Sequence, residues 1–327
     1  MMRRSLASVR HRTGIAVAVA GCCGVLTLAA QGPGASDAPL IAGAQSVLST
    51  MPPLEESVAG QQRYISAVDV DGSGNVYAIQ RLVKNPITVI APGGKVIASW
   101  GEGLFDLPHG IRVDPQGNLW ATDAGPRSRV YKFTRAGERL LLLDLTRYAP
   151  RHPNTERFVA DETFKGATDV AFAPNGHVYV SDGYGNARVV EFDAGGTFVR
   201  EWGEPGKGPG QFRLPHGIAI GPGGNVYVAD RENGRVQRFT PEGKYVGEWL
   251  YGNQLYSVDF GSRGDVYMGY RDASSRGLDG WILKADATTG RVQGRFPGPV
   301  HFVALAPSGA VFGGTTAGKV QLFTPAP

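Results

Sequence analysis

The sequence predicts an all-β fold, a six-bladed β-propeller, from three observations: a strand–turn–strand unit recurs six times, every copy carries a turn glycine, and no useful length of chain has helical periodicity. The clearest copies start at Gly110, Asp169 and Gly217 and end at Asp123, Asp182 and Asp230. Weaker copies run over 68–79, 258–268 and 303–312. The turn glycines are Gly74, Gly117, Gly176, Gly224, Gly264 and Gly309, spaced 43, 59, 48, 40 and 45 residues apart. Each lies between two runs of β-branched and aromatic residues at period two, the form of a tight hairpin that needs a positive φ. A third strand follows in the clear copies (130–133, 189–192, 236–239), and a fourth ending in Trp in several (96–100, 198–202, 245–249). Four strands per unit of this length make a propeller blade. The sixth unit stops at Phe323 after three strands, so the ring closes if residues near 42–62 supply the fourth. The stretch from Arg147 to Phe164 is expected to be a loop on one face, where binding groups tend to sit.

Composition fits this. The 327 residues include 47 Gly and 22 Pro, well above average use, while 42% hydrophobic and 19% charged residues argue against disorder. The net charge of +4 does not argue for nucleic acid. Arg3, Arg4, Arg10 and Arg12 precede an apolar run from Ile15 to Ala30, the pattern of a secretory signal. Cleavage near Ala30 removes those four of the 33 basic residues and no acid, leaving 29 basic against 29 acidic residues. Both cysteines, Cys22 and Cys23, leave with it, so a mature chain has no disulfide and no Cys-based metal site. Val19-Ala20-Gly21-Cys22 also has the form of a lipobox, which would anchor the chain at Cys22, although the following residues stay apolar. An uncleaved anchor is a third outcome. The expected organisation is a signal at 1–30, a linker with the closing strand at 31–60, and the propeller at 61–327. The expected location is secreted, periplasmic or cell envelope, and the expected state a monomer.

Five histidines remain in a mature chain. His109 and His216 occupy one repeat position, in Leu-Pro-His-Gly at 107–110 and 214–217, and His301 holds the matching place in blade six. Blades two, four and six are about 120° apart, and a blade's first strand lines the channel. Three imidazoles at that position converge on the axis as the ligands of a zinc with an open fourth position. The alternative is that His belongs to the repeat itself. His177 fills a turn slot held by Asn in sister blades and His152 lies in the long loop, so neither is expected to be a ligand. The corner acids Asp123, Asp182 and Asp230 are expected to accept backbone N–H bonds. Tyr184 and Arg231 follow two of these corners, placed either to reach a ligand at the metal or to lie on the rim. The glycine-rich stretch 203–210 lacks the end of a phosphate-binding loop and is expected to be an inter-blade turn.

These units resemble NHL repeats. The run from Leu107 to Arg235, with Leu-Pro-His-Gly, Val-Ser-Asp-Gly-Tyr-Gly-Asn-Ala-Arg, a second Leu-Pro-His-Gly and Val-Ala-Asp-Arg-Glu-Asn-Gly-Arg, resembles peptidyl-α-hydroxyglycine α-amidating lyase. The resemblance covers roughly 64–324. It implies zinc held by His109, His216 and His301, a catalytic Tyr184, and active-site arginines Arg231 and Arg81. The implied reaction splits a carbinolamide into an amide and glyoxylate, with a peptide or small molecule as substrate. A structural calcium is also implied, but Phe302 stands where the family pattern has an acidic ligand after the third His. Carbonyls near Val68 and Ile111 alone would hold a hard cation weakly. Two other readings stay open: a non-enzymatic propeller binding a protein or glycan on its rim, and a calcium-dependent lactone hydrolase, for which no acidic channel cluster is evident in the sequence.

Overall fold

The computed structural model describes residues 35–50, 65–152 and 164–325. The expected signal, the lipobox cysteine, much of the 31–60 linker and the middle of the 147–164 loop lie outside the described residues. The described residues contain strands and four 3-10 turns, with no α-helix and no helix able to cross a membrane.

Six four-stranded antiparallel sheets follow one another around the ring, at 65–100, 108–144, 169–202, 215–250, 254–299 and 303–325. The outer place in blade six belongs to Gly43–Thr50, which pairs antiparallel with Lys319–Pro325 from Gly43 opposite Pro325 to Thr50 opposite Lys319. An early strand and the last one are thereby hydrogen-bonded in one sheet, which closes the ring. A short parallel pair, Glu204–Pro205 with Gln211–Phe212, forms the inter-blade turn read at 203–210.

Local chemistry explains the hairpins. All six turn glycines have φ between 76° and 85°, a region costly for any residue with a Cβ. Asp71 and Asp114 open two of these turns by accepting amides two and four residues on, from Ser73 and Asn75 and from Gln116 and Asn118. At the corners, Asp123 accepts the amides of Asp106, Leu107 and Gly125, and Asp230 that of Arg213. Asp182 departs from the expectation: it accepts from the side chains of Asn186 and buried Arg188, to which it is the counter-charge.

Burial follows strand order. The inner strands are almost wholly buried, while the outer Val96–Trp100 is mostly exposed. Apolar side chains collect into six clusters, one between each pair of neighbouring blades. Phe296 of blade five stacks on Phe323 of blade six with centroids 3.6 Å apart at the closing junction. The core is therefore a ring of interfaces around a channel, and the channel is left to polar groups.

Candidate metal centre

The first strands of blades two and four are bulged at Pro108-His109-Gly110 and Pro215-His216-Gly217, where three residues oppose two on the second strand. A bulge re-aims the side chain it carries. The glycine after each histidine lies against the neighbouring blade: a Cβ on Gly110 would come 2.7 Å from the Thr168 carbonyl oxygen, and one on Gly217 2.8 Å from the Ser257 Cα. In blade six Phe302 holds that place, the strand is only Val303–Leu305, and His301 precedes it.

The three imidazoles form a nearly equilateral triangle, with centroids 5.0, 4.8 and 4.8 Å apart. All three are buried, and one ring nitrogen of each lies within 4.8 Å of the others. Each Nδ1 faces a backbone carbonyl of the next blade: His109 to Thr168 at 2.7 Å, His216 to Tyr256 at 2.7 Å and His301 to Ser66 at 2.6 Å. A carbonyl only accepts, so Nδ1 carries the proton and Nε2 presents its lone pair. That is the tautomer and anchoring of a metal-bound histidine. Burial, the other imidazoles and Arg81 push His109 well below its ordinary range; burial, His301 and Arg231 do the same to His216. Burial and then Arg81 lower His301 to about 3. Three neutral imidazoles fit a divalent zinc ion in type, number and protonation.

Tyr184, half-buried in blade three, reaches into this triangle. Its hydroxyl donates to His109 Nε2 at 3.0 Å and lies 3.4 Å from His216 Nε2. Arg231 and Arg81 both follow the second strand of their blades, four and one, which face each other across the ring. The Arg231 guanidinium stacks over Tyr256 at 4.9 Å and Tyr184 at 5.9 Å and is paired with Glu232 at 2.8 Å. Arg81 donates from Nε to the Pro108 carbonyl at 3.1 Å and covers the Phe164 ring at 4.7 Å. The six residues singled out in the sequence thus gather at one end of the channel. His177 instead pairs with Glu191 at 2.6 Å, and His152 is an exposed neighbour of Glu204.

Sequence reasoning missed the residues filling the same repeat position in the odd blades: Ser66, Thr168 and Tyr256, whose carbonyls orient the histidines. It also missed Phe164, whose ring lies between Arg81 and Tyr184, 4.6 Å from the latter. Sequence reasoning also passed over three acids that surround a buried arginine rather than an open cation site. Asp69, Asp169 and Asp259 lie around buried Arg112 in the channel, and comparing the first strands residue by residue would have found them. Between this cluster and the triangle stands Phe302, with centroids 5.4, 5.3 and 5.0 Å from the three imidazoles and 5.6 Å from the Arg112 guanidinium. The residues present do not fit a calcium ion there, because an aromatic ring and a guanidinium occupy the channel below the histidines.

The NHL repeat family matches residues 164–192 and 212–239. The chain is 37% identical over 195 residues to the peptidyl-glycine alpha-amidating monooxygenase A of Xenopus laevis, which covers 56% of this chain and 20% of that protein. It is 31% identical over 234 residues to peptidyl-alpha-hydroxyglycine alpha-amidating lyase 1 of Drosophila melanogaster, covering 60% of this chain and 42% of that one. The chain thus spans less than half the length of either relative. Among solved structures, streptogramin B lyase superposes with a TM-score of 0.56 at 13% identity, over 86% of this chain and 98% of that one, which shows the shared propeller. The chain carries NHL repeats on a six-bladed propeller and is homologous, over more than half its length, to the peptidyl-α-hydroxyglycine α-amidating lyases.

Proposed function

We propose that the protein is a zinc-dependent lyase that cleaves a peptidyl-α-hydroxyglycine-like carbinolamide to an amide and glyoxylate. The observation that carries this reading is the buried triangle of neutral imidazoles with the Tyr184 hydroxyl set into it and a guanidinium on either side. The names of the relatives, lyases and monooxygenases of peptide amidation, support it.

His109, His216 and His301 would hold the zinc, whose Lewis acidity makes a substrate hydroxyl easier to deprotonate. Arg231 and Arg81 bind the substrate carboxylate, their charge and forked donors suiting that group. Their opposed positions orient the carbinol carbon over the imidazoles. Tyr184, whose hydroxyl lies among the imidazole Nε2 atoms, relays the proton: it gives its own to the amide nitrogen as the C–N bond breaks and accepts that of the substrate hydroxyl. The C–N electron pair goes to nitrogen and the hydroxyl oxygen becomes the aldehyde of glyoxylate, so the reaction balances with no added reactant. Phe164 packs on Tyr184 and Arg81 at one side of the site, and Phe302 lies against all three imidazoles at the other.

A non-enzymatic rim binder would not need a buried three-histidine centre. The protein is proposed to act as a monomer outside the cytoplasm, freed by cleavage near Ala30 or anchored at Cys22. The test is metal analysis of the purified protein together with glyoxylate release from an α-hydroxyglycine-extended peptide. About one zinc per chain with glyoxylate formed is expected; bound zinc without glyoxylate would overturn the substrate, and no metal would overturn the centre.

A further inference from the structure

Below Phe302 the channel holds a second polar constellation that the proposed reaction does not use. Asp69, Arg112 and Asp259 occupy one repeat position, two before the residue that opens each hairpin. The same position is Ala171, Ala219 and Ala304 in the other three blades, small residues beside one long side chain. That side chain is Arg112. Its Nε and Nη2 donate to the two oxygens of Asp169 at 3.0 and 2.7 Å, and its Nη1 lies 3.9 Å from Asp259. Asp69, Asp169 and Asp259 all attract it electrostatically.

The carboxylates are fixed in place by the neighbouring blades. Asp69 accepts the amide of Val113 at 2.6 Å, Asp169 that of Ile218 at 3.2 Å and Asp259 that of Leu305 at 3.1 Å, each bond crossing to the next blade. Three carboxylates around one point carry the negative charge that a hard divalent cation, with its preference for oxygen ligands, would also neutralise. Here the position is filled by a guanidinium attached to the chain. We propose that Arg112 is the channel cation of this propeller, supplying from a side chain the charge that a divalent ion would supply, so that the ring needs no metal besides the one at the histidines. Burial pushes Asp69 up to about 6 and Asp259 to about 7, in keeping with one positive charge serving three acids.

The inference holds whichever substrate the histidines serve. Its test uses the full chain in calcium-free buffer with zinc supplied, read by metal analysis and thermal melting. The native protein is expected to contain no calcium and to keep its Tm within about a degree when millimolar calcium is added. Arg112→Met is expected to melt on the order of 5–10 °C lower without calcium and to recover with it. Arg112→Lys, which keeps the charge, is expected to fold and to ignore calcium. Should Arg112→Met fail to fold, the native protein and Arg112→Lys decide. Calcium retained by the native protein, a calcium requirement in Arg112→Lys, or an Arg112→Met variant that is as stable as the native chain or indifferent to calcium would overturn the proposal.

Discussion

Replacing Tyr184 by Phe removes one oxygen from the centre of the candidate site and almost nothing else. The hydroxyl donates to His109 at 3.0 Å and lies 3.4 Å from His216, while the ring makes separate contacts with Phe164 and His109, at 4.6 and 5.2 Å, that Phe retains. Loss of one half-buried hydrogen bond costs about 1 kcal/mol of stability, so the variant should fold and keep its metal. If Tyr184 carries the proton from the hydroxyl to the leaving nitrogen, its loss removes a general acid–base contribution of roughly 10²–10⁴ in rate, about 3–5 kcal/mol of barrier. The effect should fall on kcat, with KM within a few-fold, because Arg231 and Arg81, proposed to hold the substrate, are untouched. The assay is glyoxylate release over a range of substrate concentrations, with zinc content and Tm measured on the same preparation. A zinc-loaded Tyr184→Phe variant with kcat within about threefold of the native value would refute the role.

His216→Ala should lower bound zinc from about one per chain to near zero. It also leaves the buried Tyr256 carbonyl without its donor, at a cost of about 1–3 kcal/mol seen as a lower Tm. Arg231→Gln should raise KM by roughly ten- to hundredfold through loss of a charged hydrogen bond to the substrate carboxylate, with zinc unchanged. Phe296→Ala should cost about 3–5 kcal/mol in chemical denaturation, because its buried ring stacks at the junction that closes the circle. The metal-free protein should show opposed pH effects. The histidines, depressed on folding, contribute stability present above pH 6.5 and lost below it; Asp69 and Asp259, raised to about 6 and 7, contribute stability present below pH 3.8 and lost as pH rises through those values. Between pH 6 and 8 the three unfolded-state histidines release more protons than the two folded-state acids, so urea titrations should show a net gain of less than about 1 kcal/mol as pH rises, smaller than the roughly 2–3 kcal/mol the histidines alone would give. Removing the acids' opposing contribution with Asp259→Asn should enlarge that gain; an unchanged slope would contradict the assignment.

The propeller was legible because each blade repeats a local rule. A positive-φ glycine between two period-two runs needs no tertiary information, and six copies at similar spacing point to a ring. The closing strand was legible from arithmetic, since a sixth blade with three strands requires a fourth. The histidine triangle followed from the repeat, because equivalent positions in alternate blades converge on one axis. Arg112, Asp69 and Asp259 follow the same logic but do not repeat a residue type: their position reads Asp, Arg, Ala, Ala, Asp, Ala, and Asp169 reaches Arg112 from two residues earlier in its strand, so the set looks like variation until the side chains meet in space. Phe164 was beyond reach for another reason. Its contacts with Arg81 and Tyr184 depend on where a long loop returns to the ring, and no periodicity encodes that.

The channel also explains why the site is tied to the stability of the ring. Going around the circle, Asp69 binds the amide of blade two, His109 a carbonyl of blade three, Asp169 an amide of blade four, His216 a carbonyl of blade five, Asp259 an amide of blade six, and His301 a carbonyl of blade one. Every junction has one such bridge, acids and histidines alternating. Each of these side chains satisfies a backbone group of the next blade, and the other ring nitrogens of the histidines face one another while the acids face Arg112. The histidines therefore expose three lone pairs at one level, and the acids expose three carboxylates at another. One level offers ligands to a metal and the other contains its own cation. The two levels are kept apart by Phe302, which touches all three imidazoles and the guanidinium. The arrangement that holds the blades together thus sets where a metal can bind and where it has been made unnecessary.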